Sequence, residues 1–372
     1  MRDMEKSVRL PRPVVILQSD DWGRVGVRDR EGWEELRAAG IALGERPYDY
    51  YSLETAEDLA AIRAVLKKHR DSAGHAPCLV KNFCVANLDF PRIVESNFQS
   101  LYLQRLSDGL PGKWRRSGLL DEYKQGIAEG VFYPALHGIT HANRRALELR
   151  LREDSSHGEL LRSLLRAHTP YIYWRMPWIG FEYWNRGNRD GFLGAEAQLL
   201  LVQEAVQAFR ELFGFGPLSA CAPGYRANDD TRKAWATCGI RVAQNGSGRR
   251  LAPHIDESGL LNTYRTVEIE PALDPTRYNV RHCVEQAVAC FESGIPAVVS
   301  VHSINFHSTL RDFRSHTLRV LDEFLGALEQ QYKDLLYLHD LGLYELVAGG
   351  PADKKHPPQL QPAASGAVRG FL

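Results

Sequence analysis

Pro13-Val14-Val15-Ile16-Leu17-Gln18-Ser19-Asp20-Asp21-Trp22-Gly23 is the stretch on which the fold turns. A short apolar run of this kind reads as a buried strand. It ends in two adjacent acids, an indole and a glycine. Two carboxylates at the mouth of a buried strand are costly unless something compensates them. A metal ion is the first candidate for that partner.

Outward from this stretch, short apolar runs alternate with amphipathic ones. Strands are predicted at 14–19, 78–85, 131–136, 217–222, 240–244, 263–269, 296–302 and 335–338. Helices are predicted at 31–39, 54–69, 118–129, 143–152, 157–168, 195–213, 229–238, 279–293 and 313–331. The run Ala297-Val298-Val299-Ser300-Val301 is nearly all apolar, as a parallel strand covered on both faces would be. The alternation favours an α/β protein with seven or eight strands in a barrel-like closed sheet, with an open doubly wound sheet as the alternative. Residues 1–348 read as one domain. Within it, 171–192 reads as an inserted loop rich in aromatics (Tyr171, Tyr173, Trp174, Trp178, Phe181, Tyr183, Trp184). Residues 349–372 read as a disordered tail.

The charge totals narrow the function. Lys+Arg and Asp+Glu both number 46 in 372 residues, a formal balance of zero. A nucleic-acid or anionic-membrane partner would want a basic footprint. No apolar run approaches the ~20 residues of a membrane span, and the charged start, Met1-Arg2-Asp3-Met4-Glu5-Lys6, is unlike a secretory leader. A cytoplasmic location is therefore expected. The six cysteines form no C-x-x-C pair, so free thiols are expected and a thiolate zinc site is not. The sequence is silent on oligomeric state.

Three further islands carry chemistry. His137-Gly138-Ile139-Thr140-His141 follows a predicted strand, and two imidazoles four apart are able to share one metal ion. His302 ends the strand 296–302, where an acid/base role is open to it, and Asn305 and His307 follow closely. Ala222-Pro223-Gly224-Tyr225-Arg226 is a turn after a strand, where a backbone amide has room to point at a developing oxyanion. Asp229 and Asp230 read as capping and first-turn charge of the next helix.

Taken in order, Ser19-Asp20-Asp21-Trp22-Gly23, the His-x-x-x-His at 137–141, the Pro-Gly-Tyr turn and the late His302 resemble the motifs of the polysaccharide deacetylase family. Leu79 to Asn87 resembles an uncharacterised subgroup of such proteins. The resemblance implies a distorted (β/α) barrel of about seven strands with one divalent metal ion, usually zinc. It implies Asp21, His137 and His141 as ligands, Asp20 as general base and His302 as general acid. It further implies an oxyanion contact from the backbone at Tyr225, and removal of an acetyl group from an amino sugar or polysaccharide. Trp22, Trp178, Asn305 and His307 are the expected substrate contacts. Three positions depart from the family pattern. Trp22 stands where the family has glycine, Gly138 where it has Ser or Thr, and Cys221 where it has the arginine that orients the base; Arg226 is the expected substitute. Two other readings are a glycosidase using Asp20 with Glu268 or Glu270, and a carbohydrate-binding protein that keeps the metal as structure.

Overall fold

A computed structural model describes residues 8–172, 175–187, 191–246 and 251–348. The predicted tail, and Tyr173 and Trp174 of the aromatic insertion, lie outside the described residues. The strands are β1 (Val14–Trp22), β2 (Leu79–Phe83), β3 (Ala86–Leu88), β4 (Leu103–Arg105), β5 (Phe132–Leu136), β6 (Ser219–Cys221), β7 (Val242–Asn245), β8 (His254–Ile255), β9 (Leu261–Tyr264), β10 (Val267–Glu268), β11 (Ala297–His302) and β12 (Leu336–Tyr337). The main sheet runs β10-β11-β1-β2-β5-β6-β7-β9-β8, and all its pairings are parallel except β8 with β9.

The sheet closes through one continuous segment. Residues 261–264 pair with β7, and residues 267–268, three positions on, pair with β11. Between them the Arg265 amide bonds Asn245 O and the Thr266 amide bonds Val298 O. The chain thus crosses from one edge of the sheet to the other, and the staves are β11, β1, β2, β5, β6, β7 and this segment. The ring is uneven, since β5 and β6 are joined at the single register pair Leu136 and Ala220. The open sheet is ruled out, and the distorted barrel stands.

Helices cover the outside of the barrel. Ala56–Leu66 begins with a reciprocal Thr55–Asp58 capping box, and its Leu59, Ile62 and Leu66 are fully buried. Each such side chain contributes roughly 1.5–3 kcal/mol. The barrel interior is layered. Its lower end is apolar, with Val14, Ile16, Val242, Leu261 and Val298 packed on Leu343 of the helix Asp340–Val347, which plugs the bottom. Above lies a polar layer of Gln18, Asn82, Ser219, Gln244 and Thr263. At the carboxyl ends of the strands, above that layer, sit the acids of β1.

Candidate active site

Asp20 and Asp21 lie near the end of β1, where the strand breaks step. The β1–β2 register shifts between Ser19 and Trp22, and Asp21 takes a left-handed backbone (φ 73°). Asp21, His141 and Tyr225 are three of the six non-glycine residues with positive φ among those described. Backbone strain is therefore concentrated at this end of the barrel.

Asp20 points into the barrel and is held by Arg265. One guanidinium nitrogen lies 2.6 Å from its Oδ1 and another 2.8 Å from its Oδ2, and Asn82 donates to Oδ1 at 2.7 Å. Burial by itself would raise the Asp20 carboxyl. Arg265, with His137 and His302 beyond it, outweighs burial and holds the group well below the usual range. Asp21 points to the histidine loop. Its Oδ2 takes Arg24 Nη2 at 3.2 Å, and its carbonyl accepts from Tyr51 at 2.7 Å. The compensation expected from a metal ion thus comes first from two buried arginines, one per acid.

A set of donors able to hold a metal ion lies beside them. His137 Nε2 lies 3.6 Å and His141 Nε2 3.2 Å from Asp21 Oδ1, a buried oxygen without a hydrogen-bond partner. Donors about 2.0–2.2 Å from a tetrahedral ion stand about 3.3–3.6 Å apart, so this set fits zinc or a similar ion. His137 Nδ1 is 2.9 Å from Cys221 O, an acceptor only, so Nδ1 is the donor there and Nε2 is the nitrogen turned to Asp21. His141 Nδ1 shares a 2.6 Å hydrogen bond with the Tyr171 hydroxyl, which also accepts from Arg24. Burial, with Arg24 and His137 nearby, pushes His141 well below the ordinary imidazole value against the pull of Asp21, so the ring is neutral and able to bind a metal.

The histidine loop is shaped by Glu182 from the aromatic insertion. Its carboxylate accepts from the Ile139 amide (2.7 Å) and the Thr140 amide (3.2 Å). A Cβ on Gly138 would lie 2.4 Å from Glu182 Oε2, and Gly138 has φ 85°. The departure at 138 therefore makes room for Glu182, whose proton affinity burial pushes up to about 7 despite the amides.

On the other side of Asp20, His302 Nε2 lies 3.8 Å from its Oδ2. His302 Nδ1 is 2.6 Å from Glu270 Oε1, and Asn305 donates to Glu270 Oε2 at 2.6 Å. Burial would lower His302, but Glu270, then Asp20 and Asp21, raise it to about 9. The imidazole is thus a cation at neutral pH, with 24% of its side chain exposed and a proton to give.

Several expected roles need correction. Trp22 is not on a substrate face: it has no exposed surface, with Lys81 Nζ 2.8 Å from its ring centre and Phe306 stacked at 5.8 Å. The left-handed turn at Asp21 swings the indole into the core. Asn305 is fully buried behind Glu270, and His307, also buried, faces Glu54 Oε2 at 3.4 Å. The Tyr225 amide bonds Ala222 O at 2.8 Å inside its own turn, so it is not available to an oxyanion; the Tyr225 hydroxyl accepts from Arg265 at 2.9 Å instead. Arg226 is exposed and lies 4.9 Å over the Trp184 ring, so Arg265 and not Arg226 holds Asp20. Trp178 packs on His157 and Arg150. Besides Tyr171, Phe181 stands beside His141, edge-on at 5.6 Å. Glu268 and Glu270 are not a free carboxylate pair. Both oxygens of Glu270 are bonded, and Glu268 faces Arg277 at 3.8 Å.

Arg265 and Glu182 leave no signal in the local sequence, and Glu270 shows there only as a carboxylate of a candidate glycosidase pair. Arg265 lies 245 positions from the acid it grips. Arg24 was within reach, three residues after Asp21.

No family model and no curated protein matches the chain. Among solved structures it is similar to a protein of Mycobacterium smegmatis described as a "putative polysaccharide deacetylase" (12% identity, TM-score 0.48, covering 92% of this chain and 93% of that one). It is also similar to a peptidoglycan deacetylase of Bacillus subtilis (12%, 0.36, 92% and 94%) and to a 4-alpha-glucanotransferase of Thermococcus litoralis (12%, 0.44, 87% and 39%). Likeness at this level leaves the chemistry to the geometry of the site.

Proposed function

We propose that this chain is a metal-dependent hydrolase that removes an acetyl group from an amino sugar or polysaccharide, by N-deacetylation. One observation carries the reading: the unpartnered Asp21 Oδ1 meets His137 Nε2 and His141 Nε2 at 3.6 and 3.2 Å, with the ionised Asp20 and the protonated His302 side by side next to them. Asp21, His137 and His141 would hold the ion. When bound, it would lower the pKa of a water and polarise the acyl oxygen.

The other steps belong to side chains. Asp20 Oδ2, which faces His302, takes the proton of the attacking water. Held ionised by Arg265, it is a weak base. His302, charged through Glu270, gives its proton to the departing amine. The bond between the acetyl carbon and the amine nitrogen breaks, leaving acetate and a free amine. Phe181 and Trp184 offer apolar ring faces near His141 for the sugar.

The test is metal analysis of the purified protein, with acetate release measured from N-acetylglucosamine oligomers and from acetylated xylan. Release that is lost on chelation, restored by zinc and confined to the amide substrates is the expected result. Release from xylan alone would replace N- by O-deacetylation. Full activity after exhaustive chelation, or no uptake of zinc, would overturn the reading.

A further inference from the structure

Asp340, the first residue of the helix that plugs the bottom of the barrel, takes no part in the chemistry above, yet it is fully buried. Its Oδ1 accepts from Gln18 Nε2 at 2.7 Å. Its Oδ2 accepts from Gln244 Nε2 at 2.7 Å and from the Ser219 hydroxyl. The two glutamines come from opposite sides of the barrel, β1 and β7, and both turn their amide nitrogens to this one carboxylate. Their carbonyl oxygens therefore face the other way, and both meet Arg265. Gln18 Oε1 accepts from Arg265 Nε at 3.3 Å, and Gln244 Oε1 from Arg265 Nη2 at 3.2 Å and from Asn82 Nδ2 at 2.7 Å. Arg265 and Asn82 are the two residues that grip Asp20.

An ionised carboxylate only accepts hydrogen bonds, whereas a primary amide donates at one end and accepts at the other. A carboxylate at position 340 thus sets which end of Gln18 faces the arginine, and sets that of Gln244 together with Asn82 Oδ1, which accepts from Gln244 Nε2 at 2.9 Å. A flipped glutamine would present an NH2 group to a guanidinium, two sets of donors with nothing between them, and such a mismatch deep in a protein is costly.

We propose that Asp340 is a positioning residue for the reaction: acting from the far end of the barrel through Gln18 and Gln244, it orients Arg265 and so aims the Asp20 carboxylate. This rests on the deacetylase reading for its kinetic consequence, though not for its structural one. Asp340→Asn places one amide nitrogen where an acceptor stood, so at least one glutamine flips and Arg265 loses an acceptor.

The experiment is a crystal structure and steady-state kinetics of Asp340→Asn. The expected crystal result is a rotated Gln18 or Gln244 amide and an Arg265 that no longer forks both oxygens of Asp20. The expected kinetic result is a fall in kcat of about tenfold with KM unchanged, because a misaimed base weakens the transition state and not substrate binding. The loss should vanish when Asp340→Asn is added to Arg265→Met, since the route runs through that arginine; a merely structural defect would add to it. Should Asp340→Asn fail to fold, Gln18→Met and Gln244→Met each remove one arm while keeping Asp340. Each should displace Arg265 and lower kcat by a smaller factor. An unchanged Arg265–Asp20 fork in the folded variants overturns the proposal. A displaced fork in a protein whose wild type releases no acetate would uphold the positioning and refute the deacetylase reading instead.

Discussion

Glu270 decides what His302 is able to do. An isolated histidine titrates near 6.5; in this fold it is raised to about 9, with Glu270 the main opponent of burial. Because the folded value lies above the unfolded one, the stabilisation is fully present below pH 6.5 and is lost as pH rises through about 9. The same titration sets the basic limb of catalysis if His302 is the acid. Glu270→Gln keeps the shape of the side chain and removes its charge. The expected outcome is a basic limb that moves from near pH 9 towards 6.5 in a profile of kcat against pH, with a several-fold lower kcat at pH 8. A limb still near 9 would mean that another group donates the proton. Asp20 shows the opposite case at the same scale: Arg265 keeps it ionised and leaves it a weak base.

The helix plugs, loops and strands around the site each place one group that the strand pattern alone would not. The loop 137–141 is held in shape by Glu182, and Gly138 is the price of that contact. Gly138→Ala combines a Cβ 2.4 Å from Glu182 Oε2 with a backbone at φ 85°. It should cost roughly 2–4 kcal/mol from left-handed strain and overpacking together. Urea unfolding measures it, and Glu182→Ala in the same chain should recover part of the loss by freeing the space. A stability equal to the wild type would show that the loop is not clamped. Short elements explain what pattern reading missed: β3, β4 and β8 are three, three and two residues long. The plugging helix Asp340–Val347 has eight residues. None is long enough to show a period.

For the molecule as a whole, the barrel brings together donors that lie far apart along the chain. Asp21 lies at the last position but one of the first strand, and His137 and His141 follow the fifth. A set of donors that exists only in the folded chain links metal binding to stability. On the proposed function, zinc at a hundredfold excess over its dissociation constant should raise the free energy of unfolding by about 2.7 kcal/mol. Asp21→Asn should abolish this rise, and thermal unfolding against zinc concentration measures it. A melting temperature indifferent to zinc would argue that Arg24 already satisfies Asp21 and that no ion binds there.

The sequence by itself determined the alternation of elements. Each of its eight predicted strands and nine predicted helices has a counterpart, because burial on one or both faces leaves a period in the chain. It also marked Asp20, Asp21, His137, His141 and His302, which stand in short motifs and which the fold brings together at one end of the barrel. Only the tertiary structure decided who compensates the acids. Arg265, Glu270, Glu182 and Asp340 meet their partners across 245, 32, 43 and 322 positions, and such pairings leave no local trace. It decided as well that Trp22, beside the acids in sequence, belongs to the core: one left-handed residue at Asp21 turns the chain, and no pattern of side-chain types records a backbone angle.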